Sequence, residues 1–145
     1  MSKSFLHTRL ADALVELLRN AVGGLFWVRQ EAPLTFKDSE PEPDISIVEG
    51  RRDDYQAHPV TARLVVEVSV SSLQVDREMA SVYAEAEVAE YWIVNAAERC
   101  LEVYRDPVEG RYQSQQRVTE GEVLECGVLS GVSVKVAELF AGVAV

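Results

Sequence analysis

The segment that most limits the fold is Leu64-Val-Val-Glu-Val-Ser-Val70. Its valine density predicts a strand covered on both faces. Glu67 stands in the middle of it. An ionised carboxylate among apolar neighbours costs several kcal/mol unless a cation or hydrogen-bond donors compensate. Side chains two apart share a face, so Val65, Glu67 and Ser69 point one way while Leu64, Val66, Val68 and Val70 point the other.

The rest of the chain supplies elements to cover such a strand. Leu6, Leu10, Leu14, Leu17, Leu18 and Ala21 recur at helical spacing and are followed by Gly23-Gly24, which predicts one amphipathic helix at the start. Short apolar runs at Leu25–Val28 and Ala32–Phe36 precede the turn-rich stretch Lys37–Pro43, and Asp44-Ile-Ser-Ile-Val48 alternates as a strand with one polar side. Between Ser71 and Val88 the period lengthens, with Val75, Met79, Val82, Tyr83 and Ala86 forming one helical stripe and Ser71 with Gln74 a capping box. Later strands are expected at Tyr91–Val94, Cys100–Tyr104, Arg111–Val118 and Val132–Lys135, with turns at Asp106–Gly110 and Glu120-Gly121 and a short helix at Val136–Phe140. The 145 residues contain no repeat or linker, so the expectation is one domain spanning 1–145.

Charge and cysteine usage narrow the function classes. With 14 Lys+Arg against 24 Asp+Glu the formal charge is −10, which argues against a broad basic surface for nucleic acid and leaves any such role to local chemistry. Cys100 and Cys126 show neither disulfide nor zinc-site spacing and read as small core residues. Lys3, Arg9, Asp12, Glu16 and Arg19 interrupt any signal-peptide stretch, and no charge-free run approaches a membrane span. The cytoplasm, away from membranes, is the expected location.

The chemistry converges on two carboxylates. If the Asp44 strand pairs with the Glu67 strand, polar faces aligned, the two acids meet. They then repel unless one takes a proton or a divalent cation lies between them. Magnesium suits such an all-oxygen pair with spare water positions. The alternative is structural: Asp44 caps a turn after Pro43, and Glu67 meets an arginine such as Arg63 or Arg77. His7 could reach the site from the first helix as an accessory acid or base, although a solvated or capping histidine explains it as well. Tyr91 and Trp92 read as core or dimer-interface aromatics rather than base-stacking ones.

Taken in order, Pro-Glu-Pro-Asp44, Val-Val-Glu67-Val-Ser69-Val-Ser-Ser, Asp76-Arg77 and Tyr83-Ala-Glu-Ala-Glu-Val-Ala-Glu90-Tyr91-Trp92-Ile-Val resemble the Uma-type putative restriction endonuclease family. This is a branch of the PD-(D/E)XK nucleases abundant in cyanobacteria. The resemblance runs from about Leu10 to Leu139. It implies an α/β (α+β) restriction-endonuclease-like core, a mixed β-sheet flanked by helices. It further implies Asp44, Glu67 and the main-chain carbonyl of Val68 as ligands of Mg (or Mn), DNA as substrate and a homodimer as the assembly.

In the wider superfamily a lysine two positions after the acid stabilises developing charge, and here that position is Ser69. The Uma-type branch takes its lysine from the next helix in the pattern Asp-Arg-x-x-Lys, with a tyrosine four positions later. This chain departs there. Asp76 and Tyr83 are seven positions apart where the pattern needs eight, and no lysine lies between them. The loss of one position turns Asp76 by roughly a third of a turn relative to Tyr83, and Arg77 or another cation must take the lysine's part. The expectations are therefore catalytic Asp44, Glu67, Ser69 and Arg77, with His7, Asp76 and Tyr83 as accessories. The leading function is a metal-dependent endonuclease impaired by the missing lysine. Its competitors are a catalytically degenerate relative serving protein association or regulation, and a metal-free structural homodimer.

Overall fold

The computed structural model describes residues 3–144. Helix α1, Phe5–Ala21, starts at Ser4, whose hydroxyl accepts a hydrogen bond from the His7 N–H at 3.0 Å. This satisfies one of the donors that every helix start leaves open. Leu10, Leu14 and Leu18 are buried at four-residue spacing on one face, and the helix stops at Val22, ahead of the two glycines.

Six strands then build one sheet in sequential order: β1 (Phe26–Gln30), β2 (Ile45–Glu49), β3 (Leu64–Ser69), β4 (Glu90–Asn95), β5 (Cys100–Val108) and β6 (Arg111–Thr119). Only β3 and β4 run parallel, and helix α2, Leu73–Glu85, makes the crossover between them. The short ribbon of β7 (Val123–Glu125) and β8 (Ser133–Lys135) leads into α3 (Val136–Leu139). The result is the mixed, helix-flanked sheet expected from the sequence.

Packing follows the parity of β3. Leu64, Val66 and Val68 join Leu14, Ile47, Trp92 and the β8–α3 segment in the core under α1. Val65 joins Tyr83, Tyr91 and Ile93 under α2. Glu67 shares the parity of Val65 and so belongs to the α2 side.

The apolar run Ala32–Phe36 folds as a compact loop, with the Leu34 N–H bonded to Pro41 O at 2.9 Å and the Phe36 N–H to Ser39 O at 2.8 Å. Three local expectations need correction. The capping box of Ser71 and Gln74 does not form. Ser72 is the α2 N-cap, its hydroxyl donates to Asp76 Oδ2 at 2.6 Å, and Gln74 bonds Glu78. Val75 is 60% exposed, and Asp76, Tyr83 and Ala84 are the buried residues of α2. Apolarity alone misread that face because an acid occupies one of its inward positions. The hairpin turn also shifts: β5 continues through Pro107, which leaves Glu109 (φ 49°) and Gly110 (φ 77°) as a two-residue turn with both residues in the left-handed region that tight hairpins use. Among the described residues no helix is long and apolar enough to cross a membrane.

Candidate active site

The β2–β3 register fixes the site. Ile45 pairs with Val66 in antiparallel register, so Asp44, one residue before β2, lies opposite Glu67. The Asp44 N–H donates to Glu67 Oε1 at 2.8 Å, and the Val68 N–H donates to Asp44 Oδ2 at 2.7 Å. Asp44 thus continues by its side chain a ladder that β2 has stopped providing. Continued by two residues, the same register would set Val68 opposite Pro43. A proline has no N–H to offer, so the strand partner that would cover the Val68 carbonyl is missing where the two acids meet.

Glu67 is held from the other side by Tyr83, whose hydroxyl donates to Oε2 at 3.0 Å. Asp76, 8% exposed, lies one turn after Ser72, and its main-chain carbonyl accepts from the Tyr91 hydroxyl at 2.8 Å. Burial, and then the neighbouring Asp44 charge, push the Glu67 carboxyl up to about 8, although the Asp44 N–H and Tyr83 pull against them. Burial also raises the Asp76 carboxyl, with the Ser72 hydroxyl opposing it. The Tyr83 phenol is raised by burial and then by the Glu67 charge, so it remains a donor. Glu67 and Asp76 border a cleft of about 410 Å3, walled also by Lys3, His7, Asp44 and Val68 among others.

His7 is part of this wall. Its Nε2 is 3.1 Å from Asp44 Oδ2, yet the contact falls outside hydrogen-bond alignment and the buried nitrogen has no other partner among the described residues. Lys3 Nζ approaches Asp44 Oδ1 at 3.8 Å. Ser69 does not border the cleft. Its buried hydroxyl has no partner in hydrogen-bond alignment among the described residues, but it lies on the Asp76 side and acts to lower that acid's pKa. Arg77 is a correction. Its Nε and Nη2 grip Glu102 at 3.0 and 2.6 Å, and it borders a different groove with Ala80 and Tyr104. The cause is helix rotation, since Asp76 faces the sheet and its immediate neighbour cannot share that face. Arg63, the other arginine weighed for Glu67, pairs instead with Glu49 at 3.0 Å. Sequence reasoning overlooked Lys3 as a site residue. Its signal was modest: a cation four residues ahead of His7, at the capped end of a helix that points toward the acids.

The donor set fits a hard divalent cation. Among the described residues no three His, Cys, Asp or Glu side chains are gathered to enclose a metal by themselves. A cation here would rely on Asp44, Glu67, the Val68 carbonyl and water, which matches magnesium's habit of taking few protein oxygens and keeping several waters.

A family profile described as Uma2, "Putative restriction endonuclease", matches residues 1–137. This chain belongs to the Uma2 family. A crystal structure titled as a putative nuclease belonging to DUF820, from Anabaena variabilis, is similar with a TM-score of 0.80, covering 97% of this chain and 83% of that one at 16% identity. At that identity the likeness speaks for the fold, the restriction-endonuclease-like sheet and its helices, which this Uma2 member shares. No curated protein matches the chain.

Proposed function

We propose that this Uma2 protein is a divalent-metal-dependent endonuclease that hydrolyses phosphodiester bonds, with DNA as its substrate. The observation that carries this reading is the meeting of Asp44, Glu67 and Val68, joined by bonds of 2.8 and 2.7 Å at the wall of an open cleft. Magnesium or manganese bound there would supply a Lewis acid and a water of lowered pKa for attack on phosphorus. The protein's part is orientation. The Asp44 N–H and the Tyr83 hydroxyl each fix one oxygen of Glu67, the Val68 N–H fixes one oxygen of Asp44, and Ser72 sets Asp76 at the cleft edge.

Supercoiled plasmid and labelled oligonucleotides, DNA and RNA in parallel, incubated with magnesium or manganese test the proposal. Wild type is expected to cleave DNA and Glu67→Ala to lose the activity; equal cleavage by both proteins would sink the assignment. A second reading, a nuclease fold that has lost catalysis and serves protein association or regulation, draws on the missing helix lysine and on Arg77 being engaged with Glu102. Metal binding without any cleavage would favour it.

A further inference from the structure

The cleft poses an electrostatic problem. Four carboxylate residues, Glu42, Asp44, Glu67 and Asp76, border it, and a phosphodiester entering it brings a further negative charge. Among the described residues that border the cleft, Lys3 is the sole lysine or arginine. We infer that Lys3, from the segment leading into α1, is the residue that presents positive charge to the phosphate in this site. The inference rests on the phosphodiester reading above.

Geometry distinguishes Lys3 from the other cations. Its Nζ is 3.8 Å from Asp44 Oδ1, beyond hydrogen-bond length, and its side chain is 51% exposed. The ammonium is therefore held near the acids without being consumed by them, and it can swing toward an incoming oxygen. Arg77, by contrast, is locked to Glu102 by two bonds. Ala80, directly after Met79 where the helix pattern has lost its lysine, borders the groove on the far side of α2 with Arg77. Helix α2 does not carry a cation into the cleft, and the segment leading into α1 does. The chain just after Lys3 is anchored, since the Ser4 hydroxyl accepts from the His7 N–H at 3.0 Å and the Ser4 carbonyl from the Thr8 N–H at 3.1 Å. A lysine suits the task as a compact point charge on a flexible stem.

During hydrolysis the water oxygen bonds to phosphorus, one P–O ester bond breaks, and a proton from the water ends on the departing hydroxyl. Negative charge grows on the phosphoryl oxygens along the way. A cation positioned for that charge contributes to rate rather than to stability.

Single-turnover cleavage of a labelled DNA duplex in manganese tests this, with wild type, Lys3→Ala, Lys3→Arg and the exposed control Lys37→Ala. Lys3→Ala is expected to slow cleavage about 100-fold, the scale of removing one preorganised charge-stabilising group. Lys3→Arg should recover much of the loss, and Lys37→Ala should match wild type. Manganese binding by calorimetry should be no weaker in Lys3→Ala, because removing a positive charge beside Asp44 cannot reduce its attraction for a cation, and the thermal midpoint should hold. Cleavage by Lys3→Ala within twofold of wild type overturns the inference and leaves the nuclease reading standing. If wild type does not cleave at all, the nuclease reading falls by itself. Anisotropy of the same duplex in calcium then decides the role of Lys3: binding weakened severalfold in Lys3→Ala but not in Lys37→Ala supports it, and equal binding overturns it.

Discussion

Glu67 on β3 and Glu90 on β4 are acids on adjacent strands of one sheet, and the protein treats them in opposite ways. Glu90 is wholly buried and fully matched: the Trp92 Nε1–H donates to Oε2 at 2.6 Å, while the Arg105 Nε–H and the Gly127 N–H each donate to Oε1 at 3.0 Å. It pins the loop after β7 to the sheet. Glu67 receives two neutral donors, lies beside Asp44 and Asp76, and is pushed up to about 8. A buried acid given a cation and donors becomes structure; one denied a cation and set beside other acids at a cleft is left able to take one. The Glu90-Tyr91-Trp92 motif therefore has a structural core in its first and third residues, whereas the Glu67 strand borders the cleft where the proposed chemistry would take place.

Substitutions at the two acids should separate these roles. Glu67→Gln is expected to reduce metal-dependent cleavage by at least about 100-fold, since even outer-sphere partners of metal ligands cost about 10- to 100-fold, with folding preserved. A gel-based rate and a melting curve on the same sample check both halves. Glu90→Gln should do the reverse, lowering stability by about 3 kcal/mol in urea unfolding because Arg105 loses its buried counter-charge. A fully active, stable Glu90→Gln protein would break the contrast.

Proton linkage sharpens it further. The native Glu67 carboxyl is raised from an ordinary 4.5 to about 8, so the folded state holds the proton more tightly than the unfolded chain. That contribution is fully present below about pH 4.5 and is lost as the pH climbs through about 8. In chelator, wild type should therefore lose stability relative to Glu67→Gln across that window. Melting curves in which the two proteins keep a constant offset would count against a desolvated Glu67. The smallest effect belongs to Tyr83→Phe, which removes the hydroxyl that orients Glu67 Oε2. About 1 kcal/mol of stability is the ordinary worth of such a bond, and the accompanying loss of cleavage should be smaller than for Glu67→Gln.

Much of this arrangement was legible in the residues. The valine-rich run around Glu67, the Asp44 strand, the four-residue spacing along α1 and the order of short motifs led to the sheet, the facing acids and the family. Parity is local geometry, so it survives folding almost unchanged. Legibility failed where local apolarity and inward position parted company. Leu34 is buried without lying on a strand, while Val75 is exposed on a helix whose inward place goes to Asp76.

The sequence by itself determined which acids the protein possesses, their parity at the start of β2 and within β3, and the absence of the expected helix lysine. Only the tertiary structure decided which basic group each acid meets: Arg63 goes to Glu49, Arg77 to Glu102, Arg105 to Glu90, and Asp44 has His7 at 3.1 Å and Lys3 at 3.8 Å. The reason is physical. A strand's alternation is fixed within a few residues, but the reach of a long charged side chain depends on how its helix is rotated and on what packs behind it. Those quantities exist only once the sheet and both helices have come together.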